Sequence, residues 1–170
     1  SSIELGSSIY TIQSGAFSNN LIYEVIIPDS TNHIGSHAFS YNRIKTLILG
    51  DTLEHIGSDA FKDNRIEQVV IPDSVRHIGS GSFQNNSINY VIFGSNLSEL
   101  GVSSFSEQKD TFGLYIDETT IVIIEGENDI YDLLDDAFLI ANGVSNSTIF
   151  QPTLSLITCS TEDFDNDLII

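Results

Sequence analysis

Along this chain the apolar positions recur every 22 residues, not every second residue as in a half-buried strand or every third to fourth as in a surface helix. Ile22, Ile44, Ile66 and Ile88 form one column, Val25, Leu47, Val69 and Val91 a second, and Ile27, Leu49, Ile71 and Phe93 a third. Ile12, Ile34, Ile56, Ile78 and Leu100 make a fourth, and Phe17, Phe39, Phe61, Phe83 and Phe105 a fifth. Full copies start at Ile22, Ile44 and Ile66, a looser one starts at Ile88, and a partial copy precedes them from Leu5. A unit of this size encloses no interior, so each column leaves water only by stacking on the same column of the next copy. The pattern predicts a solenoid whose coils are the repeats.

Within one coil, Val25-Ile26-Ile27 before Pro28-Asp29-Ser30 reads as a short strand stopped by a proline turn, because Pro removes a ladder donor and presets φ. Alternation sends Val25 and Ile27 inward and leaves Glu24 and Ile26 outward. His33-Ile34-Gly35 reads as a second short extended piece, with Gly35 allowing a bend. Ala38-Phe39 is then expected in a helical or irregular turn that fills the core. Asn20, Asn42, Asn64 and Asn86 recur at the closing corner, where stacked amides can satisfy one another and the turn backbone.

The string L-x-x-V-x-I-P-x-S-V-x-x-I-G-x-x-A-F-x-x-N, seen best from Ile66 to Asn86, resembles the BspA-type leucine-rich repeats of bacterial and protozoan surface proteins, over about residues 3 to 109. Asn stands at the corner where many members of that family carry Cys, and Gly50 and Gly94 replace the turn proline. The resemblance implies a secreted or cell-surface, noncatalytic protein engaged in adhesion to host proteins, other cells or matrix. Residues and resemblance together lead to an α+β repeat solenoid, a leucine-rich-repeat-like right-handed coil of 22-residue turns with a short-strand sheet. Residues 1–109 would hold five repeats, the first partial and the last degenerate. Residues 110–170 would form a small acidic strand-helix-strand C-terminal cap.

The cap is read from a change in charge and in register. All six Lys and Arg lie in residues 1–109 against 11 acids, whereas residues 110–170 hold 13 acids and neither Lys nor Arg, within a net charge of −18. From Thr111 the register slips, with Leu114-Tyr115-Ile116 and Thr120 to Ile124 reading as strands. Ile130, Leu133, Leu134, Ala137, Phe138 and Ala141 then fall at helical spacing before Asn142-Gly143, with Asp129 and Asp132 in the first turn. This stretch also resembles the strand-helix element that often ends BspA-type arrays. The rest, around Pro152, reads as short strands.

Composition narrows the classes of partner. The charge makes nucleic acid and anionic membrane poor partners and cationic surfaces and divalent metals better ones. No apolar run reaches the ~20 residues that span a bilayer. The chain carries no Met and no signal-peptide pattern, which leads to the expectation of a processed or excised part of something longer. The single cysteine, Cys159, ends the apolar run LSLITC and reads as a small buried residue.

Three constellations could carry chemistry. His33, His55 and His77 occupy equivalent positions, continued by Thr11 and Glu99, and could share a transition metal or repel one another near pH 6; a half-exposed stacked column explains them equally. Asp163, Asp165 and Asp167 alternate as at the start of a calcium loop, but neither the Gly nor the bidentate Glu of that loop follows. Apart from that calcium reading no cofactor is expected. Ile26, Ile48, Val70 and Ile92 form an outward apolar stripe flanked by Glu24, Thr46, Gln68 and Tyr90, of a kind that soluble monomers seldom leave bare. No G-x-S-x-G elbow, phosphate-binding glycine loop or C-x-x-C pair is present, so no enzyme is expected.

Two noncatalytic readings stay open. One is an extracellular or cell-surface recognition module whose face at Tyr23, Ile26, Ile48, Gln68, Val70, Tyr90 and Ile92 meets protein or glycan on another surface. The other is a self-assembling structural subunit joined head-to-tail to copies of itself through its solenoid ends and the terminal Asp167–Ile170 strand. Asn85, Asn96 and Asn146 carry N-x-S/T sequons, meaningful where the producing cell glycosylates.

Overall fold

A computed structural model describes residues 2–108 and the two strands at 121–124 and 149–150. Each coil contributes two short strands: β1 (Ser2–Ile3) and β2 (Thr11–Ile12), β3 (Glu24–Ile26) and β4 (His33–Ile34), β5 (Thr46–Ile48) and β6 (His55–Ile56), β7 (Gln68–Ile71) and β8 (His77–Ile78), β9 (Tyr90–Phe93) and β10 (Glu99–Leu100). β11 (Ile121–Ile124) and β12 (Ile149–Phe150) follow. Among the described residues all pairing is parallel, and among β1 to β10 it joins residues 22 apart, with Val25 opposite Leu47, Ile34 opposite Ile56 and Val69 opposite Val91. The even-numbered strands from β2 to β10 form one continuous five-stranded ladder. The other side is two hydrogen-bonded sheets, β1-β3-β5 and β7-β9-β11-β12.

The five apolar columns meet in one core. Val25, Ile34, Phe39, Ile44, Ile56, Phe61, Ile66, Ile78, Phe83 and Val91 are fully buried. Phe17, Phe39, Phe61, Phe83 and Phe105 stack ring on ring, with centroids 5.1, 5.3, 5.3 and 5.0 Å apart and planes within 14° of parallel. Phe93 closes the stack edge-on against Phe105 at 5.5 Å. Aromatic pairs in such arrangements contribute about 0.5–1.5 kcal/mol beyond their burial.

The third side of each coil corrects the α+β expectation. No helix occurs among the described residues, and Ser36–Phe39 is a turn. His37 has φ 56° and Tyr41 φ 55°, and the same two columns hold left-handed residues in every coil: Gly15, His37, Asp59, Gly81 and Ser103 in one, Asn19, Tyr41, Asp63, Asn85 and Glu107 in the other. A left-handed residue every four positions rules out a right-handed helix. The backbone pairs between coils instead, with the Phe17 N–H donating to the Ala38 carbonyl at 2.7 Å and the Phe39 N–H to the Ala60 carbonyl at 2.8 Å.

The acidic strand-helix-strand cap is not supported either. What is described beyond residue 108 is two strands that extend the sheet, β11 pairing Val122 with Val91 and β12 pairing Ile149 with Val122. The helical stretch from Ile130 to Ala141 lies outside the described residues.

Gly35 is needed for a different reason from the one expected. Its φ is not left-handed; instead a Cβ there would lie 2.5 Å from the Ser14 backbone nitrogen, and Gly57, Gly79 and Gly101 meet the preceding coil equally closely. The column of glycines therefore sets how tightly the coils stack.

Candidate interaction faces

The outward side of β3, β5 and β7 carries an exposed apolar row. Ile26, Ile48 and Val70 are 50%, 51% and 55% exposed, while Val25, Leu47 and Val69 beside them are buried. Ile26 pairs directly with Ile48, so the row is continuous across the first sheet. Tyr23 and Gln68 are exposed at its margin; Tyr90 and Ile92 are half-buried on β9, where β11 pairs alongside. Lys45 reaches Glu67 at 2.9 Å on the same margin, and that carboxylate raises the lysine's pKa.

On the far side of the apolar row lie the corner acids Asp29, Asp51 and Asp73, all exposed. Asp29 Oδ1 accepts from the Asp51 N–H at 3.0 Å, and Asp73 Oδ1 from the Ser95 N–H at 2.6 Å. That backbone donor holds the Asp73 carboxyl below the usual carboxylate range. The sequence placed Asp29 only in the turn and did not single out Asp51 or Asp73; their common offset of three residues from Ile26, Ile48 and Val70 was the available signal.

The five-stranded ladder carries the histidine row. His33, His55 and His77 are half-buried and in register, with neighbouring rings 5.7 Å apart. His77 Nδ1 lies 2.9 Å from a Glu99 carboxylate oxygen, which ties the end of the row to the next coil. Burial lowers the His33 pKa, and the His55 and His77 imidazoles add to that. His37, in a left-handed position, stands apart from the row, 3.7 Å from Asp59.

The asparagine corners tie each coil to the one before. Asn42 Oδ1 accepts from the Ile22 N–H at 3.1 Å, and its amide donates to the carbonyls of Phe17 at 2.8 Å and Phe39 at 3.1 Å. Asn64 and Asn86 repeat the arrangement one coil on at a time. The amides thus satisfy backbone groups rather than one another. Asn20 is exposed and bonds only within its own turn, to Phe17 and Ser18. Gln108 completes the column: its side chain accepts from the Ile88 N–H at 2.8 Å and donates to the Phe83 carbonyl at 3.0 Å. Counting 22 residues from Asn86 would have found it.

Among the sequons, Asn85 is left-handed, turns its amide onto Asp63 and buries an unpartnered Oδ1, whereas Asn96 is exposed and donates to the Asp73 carbonyl at 2.9 Å. Asp163, Asp165, Asp167, Cys159, Asn146 and the Asp167–Ile170 strand lie outside the described residues. Among the described residues no three His, Cys, Asp or Glu side chains are grouped to hold a metal ion, and no helix is long and apolar enough to cross a membrane.

A family model for the BspA type leucine rich repeat region matches residues 1–111 in six copies. No match was found among curated proteins. Repeats of this family are typically noncatalytic, generally mediate protein–protein interaction, and generally belong to surface-associated proteins. Stacked phenylalanines, amide-tied corners and in-register strands recur over the same stretch as the match, which covers well over half of the 170 residues: the chain belongs to the BspA-type leucine-rich repeat family.

Proposed function

We propose that this chain is an adhesion module of the cell surface or extracellular space, noncatalytic, engaging another protein through the outward side of β3, β5 and β7. The observation that supports this reading is the row Ile26, Ile48 and Val70, each half-exposed on a strand whose neighbouring residues are buried. Leaving such a row in water forgoes about 25 cal/mol for every Å² of apolar surface that a partner could cover.

The test is adhesion of the full chain to immobilised matrix proteins and to cells, with Ile48→Lys beside the unaltered chain. Ile48 points to solvent, so the coil keeps its core and its unfolding midpoint should stay within a few degrees. Adhesion lost in Ile48→Lys and kept in His55→Gln, on the five-stranded ladder, is the expected result. Equal adhesion by both variants would remove the strand face from the reading.

A further inference from the structure

The partner's chemistry can be read from what borders the apolar row, an inference that rests on the strand-face reading above. Three residues after Ile26, Ile48 and Val70 come Asp29, Asp51 and Asp73, so an exposed acidic row runs beside the apolar one at the same coil spacing. One oxygen of Asp29 and one of Asp73 are held by backbone N–H groups of the next coil, which orients those carboxylates and leaves each a second oxygen able to accept. Among the described residues no Lys, Arg or His lies within ion-pair distance of any of the three. The opposite border is less acidic: Glu24 stands in line with neutral Thr46 and Gln68, and Lys45 pairs with Glu67, a net charge of −1 against −3 along the aspartates. The face is therefore polarised, apolar along one line and negative along the next.

Spacing selects the shape of the occupant. Equivalent residues of neighbouring coils are roughly 4.8 Å apart along the stack. An α-helix laid along the stack repeats its contact face about every 5.4 Å, so two coil steps accumulate only about 1.2 Å of mismatch. An extended strand repeats its face about every 6.6 Å, and the same two steps leave about 3.6 Å. Contacts at i, i+4 and i+7 of a helix thus fall on Ile26, Ile48 and Val70 in turn.

We propose that these two rows form a docking track for a cationic amphipathic helix of a partner protein, its apolar stripe on Ile26, Ile48 and Val70 and a line of Lys or Arg along Asp29, Asp51 and Asp73. The net charge of −18 steers such a helix toward the chain, and the apolar row then sets its place.

Fluorescence anisotropy of the full chain with a labelled synthetic helix of about 18 residues, roughly 27 Å long, tests this. The peptide carries Leu at i, i+4 and i+7 and Lys along one flank; a Glu-flanked version and a scrambled version with unchanged composition accompany it. The Lys helix should bind at least about tenfold more tightly than the scrambled peptide, and the Glu helix should not bind. The triple variant Asp29→Asn, Asp51→Asn, Asp73→Asn keeps the Oδ1 acceptors that close the corners, so it should fold as before and bind the Lys helix about tenfold more weakly, with a flatter salt dependence. Equal binding of the scrambled peptide, unchanged affinity in the triple variant, or no binding of the Lys helix overturns the proposal. If the Lys helix fails while Ile48→Lys still abolishes adhesion, the strand-face reading survives alone; if Ile48→Lys leaves adhesion intact, that reading falls and the track with it.

Discussion

Gly50 lies directly against Pro28 of the preceding coil, so closely that a Cβ at Gly50 would come within 2.6 Å of the Pro28 carbonyl oxygen. Gly94 stands in the same way against Pro72 and Asp73. Pro28, Gly50, Pro72 and Gly94 alternate down one corner, and the absent side chain is what lets each glycine coil close onto its proline neighbour. Gly50→Ala should cost about 1–3 kcal/mol, because the clash is with backbone that cannot swing aside. Gly6, with nothing within 4 Å of its Cβ position, is the control: Gly6→Ala should stay within about 0.5 kcal/mol in the same urea titration.

Removing the amide of Asn64 strands the Ile44 N–H, which loses its acceptor, while the Phe39 and Phe61 carbonyls each lose one donor and keep the amides of Asn42 and Asn86. The stranded N–H costs about 1–3 kcal/mol and each of the other two bonds contributes about 0.5–1.5 kcal/mol, so Asn64→Ala should lose about 2–4 kcal/mol. Asn20→Ala touches an exposed residue tied only to its own turn and should lose less than about 1 kcal/mol. Chemical denaturation of the two variants side by side checks the contrast, and equal losses would mean that the ties between coils contribute nothing.

Tyr41 is 53% exposed and left-handed at φ 55°. A residue with a Cβ pays about 1–2 kcal/mol in that region, and glycine does not. Tyr41→Gly should therefore raise stability by about 0.5–1 kcal/mol after glycine's larger entropy in the unfolded chain is subtracted. A lower melting temperature would show that the exposed ring packs more than its accessibility suggests.

His33 makes stability depend on pH. Its pKa is lowered in the folded chain, first by burial and then by His55 and His77, from an ordinary value of 6.5. The unfolded chain therefore takes up the proton more readily, and stability falls as pH drops through and below 6.5. The Asp73 shift acts in the carboxylate range, so its contribution is lost only at lower pH. The unfolding midpoint should decline between pH ~7.5 and ~5, and His33→Gln should flatten that decline. A slope unchanged by His33→Gln would assign the pH response to other groups.

The array was legible because its logic is periodic. A 22-residue unit cannot bury its own apolar residues, so equal spacing of Ile34, Ile56 and Ile78 or of Phe39, Phe61 and Phe83 already implies which residues stack on which. The outward row at Ile26, Ile48 and Val70 followed from strand alternation alone. The turn at Ala38-Phe39 was less legible, since a helix and a left-handed turn both bury that phenylalanine, and only the pairing of Phe39 N–H with Ala60 in the next coil decides between them.

What the chain determined by itself is therefore the period, the core columns and the family. Tertiary structure decided what depends on the distance between coils. It turned Gly35 from a bend into a contact and directed the corner amides onto backbone groups of the coil before rather than onto one another. It also let Tyr41 and Asp63 adopt a backbone that neither residue favours. The physical reason is common to all of these: hydrogen bonds and close approaches between stacked backbones outweigh local preference wherever the neighbouring coil supplies the partner.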